Sequence, residues 1–324
     1  KMSKSKGNTI EVEDILKEFG ADVCRWWVAT VDYTGDIRAD KSFFANSGEA
    51  YRKVRNTLRF MLSNLDDFVP SPPGKDCESG PGMCVPFKSI EPISLEAWVL
   101  DQYNRMSAEV RASYDAYDFR GAAVRLFDFC NDTLSAVYLG AVKDRLYCDR
   151  ADSPRRRRTQ SCLWDLTDAL CRLLAPLMPH TADEAYRALL KADPKDGGAS
   201  VHLKNWIDAF PVTADPAWPE AMKARDAGMK ALEERRKSSD LDNPLDAGLT
   251  LPDASGSLAR FDPVDLADLM GVSRVTLSAG GSEPSVTDLR DQPRCERSWK
   301  RDGTVKPRSD GGVLSDRDAA AVGV

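Results

Sequence analysis

From residue 42 to residue 206, apolar side chains return every three or four positions in one segment after another, and no other feature restricts the fold as much. A step of three or four follows one face of an α-helix; a strand would need a step of two. Tyr51, Val54, Leu58, Met61 or Leu62, and Leu65 predict a long helix over 42–68. Leu95, Val99, Tyr103, Met106 and Val110 line a second. A third is expected over 119–146, with Leu126, Cys130, Leu134, Val137 and Ala141 inward. A fourth starts after Asp152, Ser153 and Pro154, an N-cap followed by proline at the first helical position. It continues through Leu163, Leu166, Leu170 and Leu173 toward Pro179. Thr181 and Glu184 have capping-box spacing and open a short fifth helix. The proline- and glycine-rich 70–92 stretch is a loop, and the remaining connections are short. Neighbours are then antiparallel and form a helical bundle. Its core is expected to hold Leu126, Leu134, Leu166, Leu170 and Leu173.

The flanks differ. Residues 1–8, KMSKSKGN, are a polar, basic loop. Residues 10–19 predict a short helix stopped by Gly20. Residues 21–30 leave strand and helix both open, with Asp22 favouring a helix start, and 33–40 is a connector. Residues 211–219 form a linker, and 220–237 a charged helix. Residues 242–277 break into short segments that suggest a small α+β module. The tail from Ser278, rich in Gly, Ser, Arg and Asp, is expected to be the least ordered part. The fold class expected is mainly α, divided at 1–41, 42–210 and 211–324.

A chain of 324 residues that is 42% hydrophobic can bury an ordinary core. No apolar run approaches the roughly 18 residues of a membrane span, and no signal peptide is seen. The eight cysteines form no Cys-x-x-Cys pair. They read as reduced core thiols of a cytoplasmic protein, with a Cys77–Cys84 disulfide as the alternative. The net charge of −6 argues against a polyanionic partner on average. Local basic groups argue the other way: Lys1, Lys4 and Lys6; Arg52, Lys53, Arg55 and Arg59; and Arg155 to Arg158.

Lys1 and Lys4, three apart on a loop with small hydroxyls between, suit a mobile clamp on a polyphosphate, because ammonium groups neutralise charge as pyrophosphate leaves. By composition alone a solvated basic loop fits as well. Arg52, Arg55, Asn56 and Arg59 share one side of the first long helix, open either to solvent and ion pairs or to an RNA backbone. Arg155 to Arg158 stand at a helix start, where the macrodipole disfavours cations, so they call for a phosphate partner or remain an exposed patch. Trp26 and Trp27 read as core packing, and His180 and His202 as structural.

KMSKS followed by KGN resembles the second signature of class I aminoacyl-tRNA synthetases. "ADVCRWWVATVDYTGDIR" and "EAYRKVRNTLRFMLSNLDDF" resemble the stem-contact region and first anticodon-domain helix of the isoleucine-specific enzymes. "AYDFRGAAVRLFDFCNDTLSAVYLGAVKDRLYCD", "RLLAPLMPHTADEAY", "SVHLKNW" and "LDNPLDAGLTL" resemble the successive later segments of that family. Valyl- and leucyl-enzymes share KMSKS but resemble the chain less at "DYTGDIR" and "YRKVRNT". The resemblance implies a stem-contact segment, an anticodon-binding bundle and a small C-terminal module. It implies ATP-dependent attachment of isoleucine to tRNA(Ile) by a monomer, using ATP with Mg2+ and no membrane. Lys4 would contact ATP phosphates, Lys1 and Ser5 would shape the loop, and Arg52, Arg55, Asn56 and Arg59 would meet tRNA. A chain that starts at Lys1 inside the motif is expected to be a fragment, inactive alone. A stand-alone tRNA-binding module is the alternative.

Many members of that family end in a zinc ribbon with two Cys-x-x-Cys pairs, the first followed by Trp. Here "CERSW" keeps Cys295 and Trp299 but has Ser298 at the second ligand position, and "LSDRDAAAV" puts Ser315 and Asp318 at the other pair. One thiolate in four holds structural zinc poorly, so no metal is expected and the fold of the tail is left open.

Overall fold

The computed structural model describes residues 5, 9–37, 39–70, 84–193, 195–238 and 241–324. Its contacts gather into two units, one of 1–66, 102–133 and 163–210, the other of 67–101, 134–162 and 211–324.

The first unit opens with α1 (Val12–Phe19) and α2 (Ala21–Thr30), which settles the strand-or-helix alternative for 21–30. Gly20 joins them at φ +86, a left-handed value that an L side chain rarely adopts. Then comes α3 (Lys41–Ser63), capped by the Asp40 side chain on the Ser42 amide at 2.7 Å. It stops short of the expected residue 68, where the Asn64 side chain bonds back to the Phe60 carbonyl and competes with the helix ladder. This unit also holds α5 (Phe119–Asp128), α8 (Pro179–Leu190) and the parts of α4 (Leu95–Asp115) and α7 (Pro154–Leu174) from residues 102 and 163 onward; α6 (Leu139–Cys148) belongs to the second unit. The five leucines expected in the core are all fully buried. Trp26 is buried too, and Trp27 packs on Phe44 at 4.5 Å.

Between α5 and α6 the helix is wound as a π-helix over Phe129–Tyr138. The spacing of its buried residues gives a reason. Leu126, Cys130, Leu134, Tyr138, Val142 and Leu146 are all buried and lie at uniform steps of four. In an α-helix each such step drifts by about 40°, and the stripe would walk around the axis. The wider i→i+5 winding reverses that drift and keeps the stripe inward.

Helix α8 corrects another expectation. Thr181 does not cap it, because the helix already begins at Pro179 and the Met178 N-cap makes no side-chain bond. The Asp22 carboxylate of α2 does the capping, accepting the Thr181 amide at 2.6 Å and the His180 amide at 3.4 Å. A tertiary acceptor has replaced the local one.

In the second unit, α9 (Trp218–Ser238) lies on a three-stranded sheet of β1 (Ala247–Pro252), β2 (Arg274–Ser278) and β3 (Ser285–Asp288), in the order β2-β1-β3. Strands β1 and β2 are parallel, joined through α10 (Pro263–Met270), and β3 is antiparallel to β1. A Cβ at Gly228 would stand 3.2 Å from Leu249 Cδ1, so glycine permits the close approach of α9 to the sheet. The tail is ordered, contrary to expectation. Strands β4 (Lys306–Pro307) and β5 (Val313–Leu314) and helix α11 (Asp316–Val322) surround Cys295, Val305, Leu314 and Ala319. A few buried apolar groups plus buried polar bonds suffice where composition alone suggested disorder.

Cys84 is disulfide-bonded, which corrects the reading of all eight cysteines as free thiols; Cys77 lies outside the described residues. Cys24, Cys130, Cys148, Cys162, Cys171 and Cys295 form no disulfide among the described residues. Among the described residues, no helix is long and apolar enough to cross a membrane.

Candidate nucleic-acid interface

Helix α3 buries Val54, Thr57, Leu58 and Met61. At about 100° per residue, Arg52, Arg55, Asn56 and Arg59 fall within an arc of about 100° on the opposite side. Arg52, Asn56 and Arg59 are exposed, and Arg55 is half-buried. Arg52 pairs with Glu49, and Arg55 reaches Glu184 of α8 at 4.0 Å. The Asn56 and Arg59 side chains have no hydrogen-bond or ion-pair partner among the described residues. Surface pairs of this kind contribute about 0–1 kcal/mol, so they give way readily to a phosphate. The stripe therefore has one cation already free and two lightly held.

Of the loop residues, Lys1 and Lys4 lie outside the described residues, and Ser5 is exposed.

Arg155 to Arg158 behave otherwise than expected. They are neither a free patch nor waiting for phosphate, because carboxylates of the same unit occupy them. Arg155 donates to Asp149 at 3.1 Å, with Asp268 at 3.5 Å. Arg156 and Arg157 share Asp67 at 3.1 Å each, and Arg158 donates to Glu96 at 2.8 Å. These anions offset the cost of cations at the start of α7. The pairs continue inward. Arg145, with no exposed side-chain surface, binds Glu96, Asp265 and Asp268, and Lys300 bridges Asp268 and Asp144. Burial would raise the Asp144 carboxyl, but the bond from Arg317 and the charge of Lys300 hold it down at about 2. Glu96 is likewise held below the ordinary carboxylate range despite complete burial, by Arg145 and Arg158.

The second unit also carries a cleft of about 380 Å³ lined by Lys143, Tyr147, Arg297 and Trp299, among others. Trp299 is 55% exposed and takes the left-handed conformation at φ +63. The Arg294 guanidinium lies 5.5 Å from its ring centroid. A half-exposed indole forfeits burial and is held in a backbone region costly for a bulky residue. Beside cations it suits stacking on a nucleic-acid base. Sequence reasoning assigned Trp299 no such role. The signal was present, since Arg294, Arg297 and Lys300 interleave with it.

The four positions of the degenerate ribbon do come together. Cys295, Ser298 and Ser315 all bond to one oxygen of Asp318. Burial would raise the Asp318 carboxyl, but the Ser298 and Cys295 bonds and the Arg317 charge outweigh it and hold it low. His180 and His202, read as structural, are both exposed and line one surface pocket beside Asp183 and Glu184.

Comparison with known proteins gives these similarities. Residues 96–251 match the family described as anticodon-binding domain of tRNA ligase, and residues 1–40 match tRNA synthetases class I (I, L, M and V). The chain is 36% identical to an isoleucine–tRNA ligase of Moorella thermoacetica, over 99% of this chain and 35% of that protein. It is 36% identical to one from Exiguobacterium sibiricum, over 92% of this chain and 32% of the relative. It is 34% identical to one from Geobacter sulfurreducens, over 99% and 35%. A solved LeuRS–tRNA–LeuAMS complex from Agrobacterium radiobacter aligns with TM-score 0.43 at 20% identity, over 64% of this chain and 22% of that one.

Proposed function

The chain belongs to the class I tRNA synthetases, within the isoleucine–tRNA ligase family, and from that premise we propose that it supplies the signature loop and tRNA-binding parts of an enzyme that joins isoleucine to tRNA(Ile). It spans about a third of the length of the curated relatives it matches. The reaction is ATP-dependent, with Mg2+, and passes through isoleucyl-adenylate. Lys4 contacts the phosphates and stabilises the charge that develops as pyrophosphate leaves, while Lys1 and Ser5 shape the loop. Residues 1–41 complete the catalytic part, 42–210 bind the anticodon arm, and 211–324 form the C-terminal module. The parent enzyme is a cytoplasmic monomer. The chain alone activates no isoleucine, because the loop acts only on nucleotide held by the rest of the enzyme.

The observation that carries this reading is the basic stripe of α3, turned away from the core and lightly paired. Arg52, Arg55, Asn56 and Arg59 meet the tRNA backbone there, and the Trp299 cleft offers an aromatic platform for a base. The test is tRNA(Ile) binding to the chain by fluorescence anisotropy across a salt series, together with isoleucine-dependent ATP–pyrophosphate exchange. Binding that weakens steeply with salt, without exchange, supports the proposal. No binding at low salt would sink the tRNA role, and exchange by the chain alone would sink the division of labour.

A further inference from the structure

The tail resembles a metal ribbon, yet its four ligand positions hold one thiol, two hydroxyls and one carboxylate. Structural zinc is bound by thiolates and imidazoles, with carboxylates a lesser choice. Among the described residues, no group of three or more His, Cys, Asp and Glu side chains is arranged to hold a metal. The residues do not fit the ion. They nevertheless converge on a single atom. Oδ2 of Asp318 accepts from Cys295 Sγ at 3.0 Å, from Ser298 Oγ at 2.7 Å and from Ser315 Oγ at 2.8 Å. Three side chains from two separate turns thus point their hydrogens at one oxygen, where an ion would require lone pairs. The Asp318 side chain has no exposed surface, and Arg317 at 3.2 Å and Arg297 at 3.7 Å balance its charge. The bonding is reciprocal at the start of α11, where Ser315 Oγ accepts the Asp318 amide at 3.1 Å. Around this centre pack Val305, Leu314 and Ala319, and the Glu296 amide bonds to the Val313 carbonyl at 3.0 Å.

We propose that the buried Asp318 carboxylate takes the place of the metal ion. It is the hub that ties the Cys295–Ser298 turn to the Ser315–Asp318 turn, and the C-terminal tail folds on it without metal. A carboxylate oxygen can do this because it accepts several hydrogen bonds at once, and bonds to a charged acceptor are roughly twice as strong as neutral ones. Replacing Ser298 or Ser315 by cysteine singly would weaken the hub without completing a metal cage.

The proposal is tested on the whole chain by hydrogen exchange, metal analysis and chelation. With zinc supplied in excess and then removed by gel filtration, the unaltered chain should retain substoichiometric zinc, and chelator should leave exchange in 295–322 unchanged. Asp318→Asn keeps the shape but removes the charge and half of the acceptor. It should speed exchange across 295–322 by about tenfold or more while 84–193 stays protected. Ser298→Ala, which deletes one bond, and Ser315→Ala, which deletes the bond to the carboxylate and the one from the Asp318 amide, should give smaller losses in the same region, so the claim remains testable even if Asp318→Asn does not fold. The triple variant Ser298→Cys, Ser315→Cys, Asp318→Cys should instead take up zinc and lose tail protection on chelation. One tightly held zinc per unaltered chain, or unchanged tail protection in all three single variants, would overturn the proposal. Failure of the triple variant to take up zinc would overturn the equivalence of hub and ion.

Discussion

Asp22 and Thr181, 159 residues apart, are joined at the N-terminus of α8, where the Asp22 carboxylate accepts the Thr181 amide at 2.6 Å. This bond fixes α2 to the helix that lies beside α3. Losing an N-cap acceptor costs about 0.5–2 kcal/mol. Asp22→Ala should destabilise the first unit by about that amount, and Asp22→Asn, which keeps an acceptor oxygen, by less. Urea titration of both variants checks the difference.

The buried charges of the second unit should respond much more strongly. Arg145 has three carboxylate partners and no exposed surface. Arg145→Met leaves Glu96 and Asp268 buried without it, and breaking such a group costs about 3–5 kcal/mol. Calorimetry should show a large fall in the Tm of the second unit. A change within error would mean that the carboxylates find other partners.

Acid should act on the same network. The folded-state values of Glu96 and Asp144 are depressed, that of Asp144 to about 2. Their stabilisation is therefore complete above the unfolded value of about 4 and is lost as pH falls through the folded values. Stability of the second unit should drop between about pH 4 and pH 2, and Glu96→Gln should flatten that drop.

Asp165 should show the opposite sign. Burial and the neighbouring Asp168 charge push its carboxyl up to about 7. A raised carboxylate contributes stability in full below the unfolded value and loses it as pH rises through the folded one. Asp165→Asn should be more stable than the parent at pH 8, by roughly 1–3 kcal/mol after allowance for partial solvent access. The gap should close below about pH 4.

Arginine substitutions should separate binding from folding. Arg59→Ala should weaken tRNA binding uniformly across sequences and reduce the salt slope by about 1, with stability unchanged. Arg157→Ala should do the reverse, because Asp67 and Gln160 hold that side chain. Equal loss of affinity in both would remove the special role of the α3 stripe.

On the proposed function, Lys4→Ala in an enzyme that contains this chain should slow adenylate formation far more than it weakens isoleucine binding, since the charge assigned to Lys4 would develop mainly in the transition state. Pyrophosphate exchange against isoleucine affinity measures the split, and an unchanged exchange rate would remove the role given to Lys4.

Sequence alone determined the helices of 42–206 and their inward faces, because apolar side chains that return every three or four positions line one face of a helix. Leu126, Leu166 and Leu173 could be assigned to a core without knowing what covered them. Arg52 and Arg59 could be put on an outer face for the same reason. The motifs pointed to the family, since KMSKS and the stretches after it are local strings that do not depend on packing. Only the tertiary structure decided where charge and hydrogen bonds go. Arg155 to Arg158 looked like a patch until Asp67, Glu96 and Asp268, distant in sequence, joined the nearby Asp149 within reach. The tail looked disordered by composition, yet Asp318 gathers Cys295, Ser298 and Ser315 around one oxygen. The cap of α8 was sought nearby in Thr181 and found in Asp22. Burying apolar surface needs no particular partner and can be read from periodicity, whereas a polar group must meet one complementary atom at about 3 Å, and only the folded chain brings that atom there.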